Sequence, residues 1–162
     1  MIFRKSPPAN KTMPFSLPSD HVLLNREFGS KRDVIQAIGD VMVRSGEVSP
    51  GYARAMFEKE DQYSTWITDG VALPHGTNQA KKEVLRNSIV FVQIPKGVDW
   101  GDGKTVYLAI GLAGTGDEQH LQLLAELAGV LQRPETIERL RSSTSSEEVV
   151  GMLTAGDGQE IE

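Results

Sequence analysis

Two neighbouring apolar segments set the strongest limit on what this chain can fold into. SIVFVQI, residues 88–94, is a short run rich in β-branched residues, the composition and length of a buried strand. Further on, Val106, Leu108 and Ile110 alternate with period two, as a second strand. The glycines of GDGKT, residues 101–105, make a turn between them. No uninterrupted apolar run, Ile89 to Val92 included, comes near the roughly 20 residues that cross a bilayer. These segments therefore belong to a sheet and not to a membrane span.

On either side of them the period changes. Ser30 with Asp33 resembles a capping box, and Val34, Ile38 and Val41 follow at helical spacing, so a helix is expected to about Arg44, before Gly46. Ser49 as N-cap and Pro50 in the first turn open a second helix, with Tyr52, Met56 and Lys59 on one face, ending near Glu60. YSTWIT and VALP are short β-prone pieces around Asp69-Gly70, a dipeptide suited to a tight hairpin turn. Asp117 is the expected cap of a third helix with His120, Leu124, Leu127 and Leu131 on its stripe. Pro134, and then Ser145 or Ser146, open two more short helices reaching about Leu153. Two helices, a block of strands and further helices, with no internal repeat, argue an α/β or α+β fold in which helices pack on a sheet.

At 162 residues and 39% hydrophobic composition, one domain is expected. Residues 1–18 carry four prolines and no sustained period, the texture of a flexible leader; the domain is expected over 19–154 and a loose tail over 155–162. A net charge of −5 gives no basic surface for a phosphate backbone, so nucleic acid is not an expected partner. The absence of cysteine removes disulfides, zinc–thiolate sites and thiol nucleophiles, and the N-terminus lacks the apolar region of a signal peptide. The expected setting is the cytoplasm.

Several chemical motifs fail on inspection. GDGKT looks like the end of a phosphate-binding loop, but the position requiring the first glycine is Val98, and a strand follows where a helix is needed. No GxSxG elbow occurs. His75 and His120 lie far apart with no HxxxH or HExxH pair, which leaves metal binding a weak prospect and no metal or cofactor expected.

The segment GVALPHGT, residues 70–77, stands out. Pro74 fixes its own φ and biases Leu73 toward extended geometry, so a strand ends in a set direction at His75. Gly76 lets the chain turn with no side chain over the site, and Thr77 supplies a hydroxyl and an N–H able to meet an anion. An imidazole so presented can serve as nucleophile, base, metal ligand or plain strand-end polar group. His120, inside the first turn of its helix where the macrodipole favours negative charge, either completes an anion-friendly corner or merely tops the leucine stripe. Lys59 either stretches its stem to solvent or aims its ammonium into a site. His21 has no motif and reads as a surface residue.

Four ordered blocks together resemble the mannitol-type enzyme IIA family of the bacterial sugar phosphotransferase system: YARAMFEKE at 52–60, GVALPHGT at 70–77, IPKGVDWGDG at 94–103 and AIGLAGTGDEQHLQLLAEL at 109–127. The likeness covers roughly Ser19 to Leu153. It implies a mixed β-sheet of about five strands flanked by helices. It also implies that His75 receives a phosphoryl group from the phosphocarrier HPr and passes it to a cysteine of enzyme IIB, which phosphorylates mannitol or a related polyol during uptake. The protein would reach the membrane only indirectly, through the permease. By the same resemblance His120 supports the phosphoryl group, with Lys59, Gly76 and Thr77 around it. Family members commonly have arginine where this chain has Lys59 before Glu60; lysine keeps the charge and loses the bidentate fork. Within the family the alternative is a regulatory phosphorelay protein of the fructose or nitrogen type, although Gly76 and Thr77 look mannitol-like. Outside it, the alternative is a noncatalytic module in which the two histidines hold a metal or an anion.

Overall fold

A computed structural model describes residues 17–154. The leader expected over 1–18 and the tail expected over 155–162 lie outside the described residues except for Leu17 and Pro18, and Leu17 is buried in the core.

The N-terminal helices follow their local signals. Ser30 caps α1 (Lys31–Arg44), its hydroxyl accepting from the Asp33 amide at 3.2 Å. Helix α2 (Pro50–Gln62) starts on a proline and runs two residues past Glu60. Ser49 occupies its N-cap position without capping it, because the hydroxyl is drawn to the Glu83 carboxylate.

The sheet is mixed. Strands β2 (Trp66–Thr68) and β3 (Gly70–Ala72) form the hairpin expected at Asp69-Gly70, with Gly70 at φ 75°. Strands β4 (Ser88–Gly101) and β5 (Lys104–Ala113) pair antiparallel across the turn at 102–103, so no helix follows GDGKT and the phosphate-loop reading is excluded. β4 is longer than the 88–94 run. Its register shifts between Gln93 and Val98, and that irregularity admits Pro95, which has no ladder donor. With β1 (Val22–Leu23), the order is β1-β4-β5-β3-β2; β1 lies parallel to β4 and β3 parallel to β5.

Alternation along the central strands feeds two cores. Val90, Val92 and Ala109 face α1 and α2 through Val34, Ile38, Tyr52 and Met56. Ile89, Phe91, Leu108, Ile110 and Leu112 face α3 (Asp117–Val130), α4 (Pro134–Ser142) and α5 (Ser146–Thr154) through Leu123, Leu127, Leu140, Val149 and Leu153. This is the helix-flanked five-stranded sheet anticipated from the resemblance.

Three local expectations are corrected. Asp117 is the first residue of α3 and not its cap; Gly116 takes the cap position, and the Asp117 carboxylate instead meets the Lys81 ammonium at 3.2 Å. The fully buried stripe passes through Leu123 and not Leu124, which is only partly covered. His21 is not a surface residue. It is 2% exposed, with Nε2 2.9 Å from the Glu47 carboxylate and Nδ1 2.8 Å from Asp20. Glu47 also accepts from the Ser88 hydroxyl. This buried cluster ties the chain before β1 to the α1–α2 connection.

Candidate active site

β3 ends at Ala72, and the next residues carry His75 over the end of β5, where the Leu112 amide donates to the Pro74 carbonyl at 3.0 Å. The His75 ring is fixed by a 2.7 Å hydrogen bond between Nδ1 and the Leu73 carbonyl. A carbonyl can only accept, so Nδ1 carries the proton and Nε2 keeps its lone pair. His120, the fourth residue of α3, lies against it with ring centroids 4.9 Å apart, tilted by 52°. Burial pushes the His75 pKa below the ordinary imidazole value, with the Lys59 and Lys81 charges acting in the same direction and the Leu73 and Glu60 contacts opposing. Burial, then His75, Lys81 and Lys59, bring His120 down to about 4. Both rings are therefore neutral near pH 7.

The close approach of the two histidines depends on glycine at 114. A Cβ there would stand 2.6 Å from the His120 Cα and 2.7 Å from its amide nitrogen, so only glycine lets α3 start this close to the end of β5. Asn87 braces the same corner: its Oδ1 accepts from the Thr115 amide at 2.9 Å, and its Nδ2 donates to Gln119 at 2.8 Å.

Gly76 leaves the turn clear of a side chain, as expected, and is bonded within the protein. Its amide donates to the Tyr52 hydroxyl at 2.9 Å, and that hydroxyl donates to the Leu112 carbonyl at 2.9 Å. The Gly76 amide is thus engaged with protein and does not face an anion. A Cβ at Gly76 would lie 2.6 Å from the Tyr52 ring, so glycine here allows the tyrosine to brace the turn. Burial raises the Tyr52 pKa to about 12, and its hydroxyl stays protonated. Thr77 is 8% exposed and, among the described residues, its hydroxyl has no hydrogen-bond partner. The His120 amide is already bonded to the Gly116 carbonyl at 2.9 Å, so the open donors of that helix end are the three preceding amides.

Lys59 lies half-buried in the last turn of α2, its ammonium 5.5 Å from the Tyr63 ring centroid. Its charge acts in the direction that lowers the pKa of both imidazoles. Its neighbour Glu60 anchors that turn, accepting from Trp100 Nε1 at 3.0 Å and from the Thr65 amide at 3.1 Å. Among the described residues, no group of three or more His, Cys, Asp or Glu side chains converges to hold a metal ion, and no helix is long and apolar enough to cross a membrane.

Sequence reasoning missed Tyr52, Gly114 and Lys81. For Tyr52 a signal existed: it shares the i, i+7 face with Lys59. Gly114 and Lys81 sit in segments without periodicity, where only the fold discloses what they touch.

A mixed sheet with this strand order and a histidine pair at the end of β3 and the start of α3 places the chain among known proteins. The family described as "Phosphoenolpyruvate-dependent sugar phosphotransferase system, EIIA 2" matches residues 15–155, and the chain belongs to that family of phosphoryl-transfer proteins. It is similar to the mannitol-specific phosphotransferase enzyme IIA component of Bacillus subtilis, at 38% identity over 85% of this chain and 95% of that protein. It is 37% identical to the multiphosphoryl transfer protein of Escherichia coli O157:H7 over 86% of this chain, and spans only 37% of that longer protein. Among solved structures, the complex of the mannitol enzyme IIA with phosphorylated mannitol enzyme IIB from Escherichia coli superposes with a TM-score of 0.80 at 34% identity, covering 86% of this chain and 97% of that one.

Proposed function

We propose that this chain is a mannitol-type enzyme IIA that takes a phosphoryl group from phospho-HPr onto His75 Nε2 and hands it to the cysteine of an enzyme IIB, for uptake and phosphorylation of mannitol or a related polyol. The observation that carries the reading is the His75 tautomer. With Nδ1–H held on the Leu73 carbonyl, Nε2 is a neutral nucleophile whose pKa is already lowered by burial. The name of the Bacillus subtilis relative and the solved Escherichia coli enzyme IIA–IIB complex support the substrate and the acceptor.

In the first transfer the Nε2 lone pair attacks phosphorus in line, and the P–N bond to the HPr imidazole breaks with its electron pair leaving on HPr. In the second, a thiolate of enzyme IIB attacks the same phosphorus, and the bond to His75 breaks in turn. Such transfers pass through loose transition states, so the protein contributes alignment and charge rather than covalent work. The Lys59 ammonium, the Thr77 hydroxyl and a ring N–H of His120 serve the equatorial oxygens. Tyr52 and Gly76 hold the turn. The carrier needs no cofactor, works in the cytoplasm and meets the membrane permease only through enzyme IIB.

The test is incubation with phosphoenolpyruvate, enzyme I and HPr, followed by mass spectrometry under alkaline conditions that preserve phosphohistidine. One acid-labile phosphoryl group on His75, absent from His75→Ala, is expected. A chain that stays unmodified, or that is modified elsewhere, defeats the reading.

A further inference from the structure

We infer that Lys81 is a further phosphoryl-binding residue of this site, held in reserve by Asp117 and Asn78 until negative charge arrives on His75; the inference rests on the carrier reading above.

Lys81 lies on the 3-10 helix Asn78–Glu83, which starts immediately after Thr77. Its side chain is only 15% exposed, against 79% for the ion-paired Lys96, so it is not a solvated surface lysine. The ammonium donates to Asn78 Oδ1 at 2.8 Å and meets Asp117 Oδ1 at 3.2 Å. It thereby bridges the segment that follows His75 and the first turn of the helix that carries His120. Its charge acts on both imidazoles, lowering the pKa of each.

The two partners hold it unequally. Asn78 is local, three residues away on the same turn, whereas the Asp117 carboxylate is 88% exposed and competes with water for the ammonium. A phosphoryl group on His75 would bring about −1.5 to −2 charges and several strong acceptor oxygens into a less exposed place. An ammonium has three donors, so Lys81 can keep Asn78 and exchange the single Asp117 contact for a phosphoryl oxygen. Asp117 thus stands in for the phosphoryl group in the empty carrier. It keeps the lysine ordered without filling the site. The released carboxylate then lies in the first turn of α3, where the helix dipole favours it.

The experiment compares wild type, Lys81→Met, Lys81→Gln and Lys81→Arg by NMR titration of the His75 and His120 rings in the free protein, and by phosphorus NMR titration of the protein loaded from phospho-HPr. In Lys81→Met and Lys81→Gln both imidazole midpoints should rise. The second ionisation of the phosphoryl group should also rise, by about one unit for one ammonium withdrawn at close range, and transfer from phospho-HPr should slow ~10-fold. Lys81→Arg should restore all three. Asp117→Asn should leave the phosphoryl ionisation as low as in wild type. Neutral variants that titrate like wild type in both forms overturn the proposal, even if they melt earlier, because that result assigns Lys81 a structural role only. A wild-type chain that takes no phosphoryl group overturns the carrier reading and this inference with it, an outcome distinct from a phosphorylated wild type beside indistinguishable variants.

Discussion

Gly114→Ala tests whether the histidine pair is set by backbone contact. The added methyl carbon would stand 2.6 Å from the His120 Cα and 3.1 Å from its Cβ, where ordinary contact begins near 3.4 Å. The clash is with backbone, so no rotamer change relieves it, and the first turn of α3 has to withdraw by about 0.8 Å. Overpacking of this kind costs about 1–3 kcal/mol, which lowers Tm by roughly 3–10 °C for a domain of this size. The same withdrawal opens the 4.9 Å spacing of the two rings. Misplacement approaching 1 Å can cost about 10²-fold in a positioned reaction, and because His120 supports rather than attacks in the proposed relay, the expected loss in transfer from phospho-HPr is ~10- to 100-fold. Gly116→Ala is the matched control. It is extended backbone with nothing within 4 Å of the new carbon, so it should cost only a poorer N-cap, about 0.5–1 kcal/mol, and leave transfer within about twofold. Calorimetry and rapid-quench transfer read the two effects separately. A Gly114→Ala protein that transfers as fast as Gly116→Ala would refute the argument, whatever its Tm.

Other consequences follow from the same contacts. Because the His75 pKa is lowered, the acid limb of the transfer rate should have its midpoint below the usual imidazole value of about 6.5; a midpoint at or above it would show that burial does not control the ring. His21 is the opposite case, raised first by its hydrogen bond to Glu47, so its stabilisation is complete below the unfolded value of about 6.5 and declines as pH rises through the higher folded value. His21→Ala, which leaves Glu47 buried without its cation, should cost about 3 kcal/mol in urea unfolding at pH 6 and less at pH 9; an equal loss at both would place the effect in packing alone. Lys59→Arg should keep or raise the transfer rate and Lys59→Ala should lower it, and an alanine variant at the wild-type rate would return Lys59 to the solvent.

What could be read from the chain was whatever local chemistry decides. Ser30 caps α1, Pro50 opens α2, and the apolar run before GDG and the period-two segment after it become β4 and β5, because each signal acts within a few residues. Ser49 and Asp117 show where this fails. Both are good cap residues, and both were claimed by partners distant in sequence, Glu83 and Lys81. His21 fails for the same reason: nothing nearby marks it, yet Glu47, 26 residues on, buries it as one half of a charged pair. The site divides along the same line. The direction in which Pro74 sends His75 is a local property, whereas the meeting with His120 depends on β5 lying parallel to β3 and on the lack of a side chain at 114.

The engaged amides bear on how strongly such a site can hold a phosphoryl group. A carrier must release what it accepts, and donors that bind the phosphohistidine as tightly as the transition state lower the ground state without speeding transfer. Two amides that the sequence places beside His75 and His120 are withdrawn from that use, Gly76 by Tyr52 and His120 by Gly116. His120 is uncharged, and the ammonium of Lys81 is held by Asp117. In the proposed relay the empty site is therefore nearly neutral at the rings, and its cations stand at the margin. Charge on His75 recruits them, and loss of that charge lets them go. Strong cations fixed on His75 would give a tighter phosphohistidine and a slower second transfer.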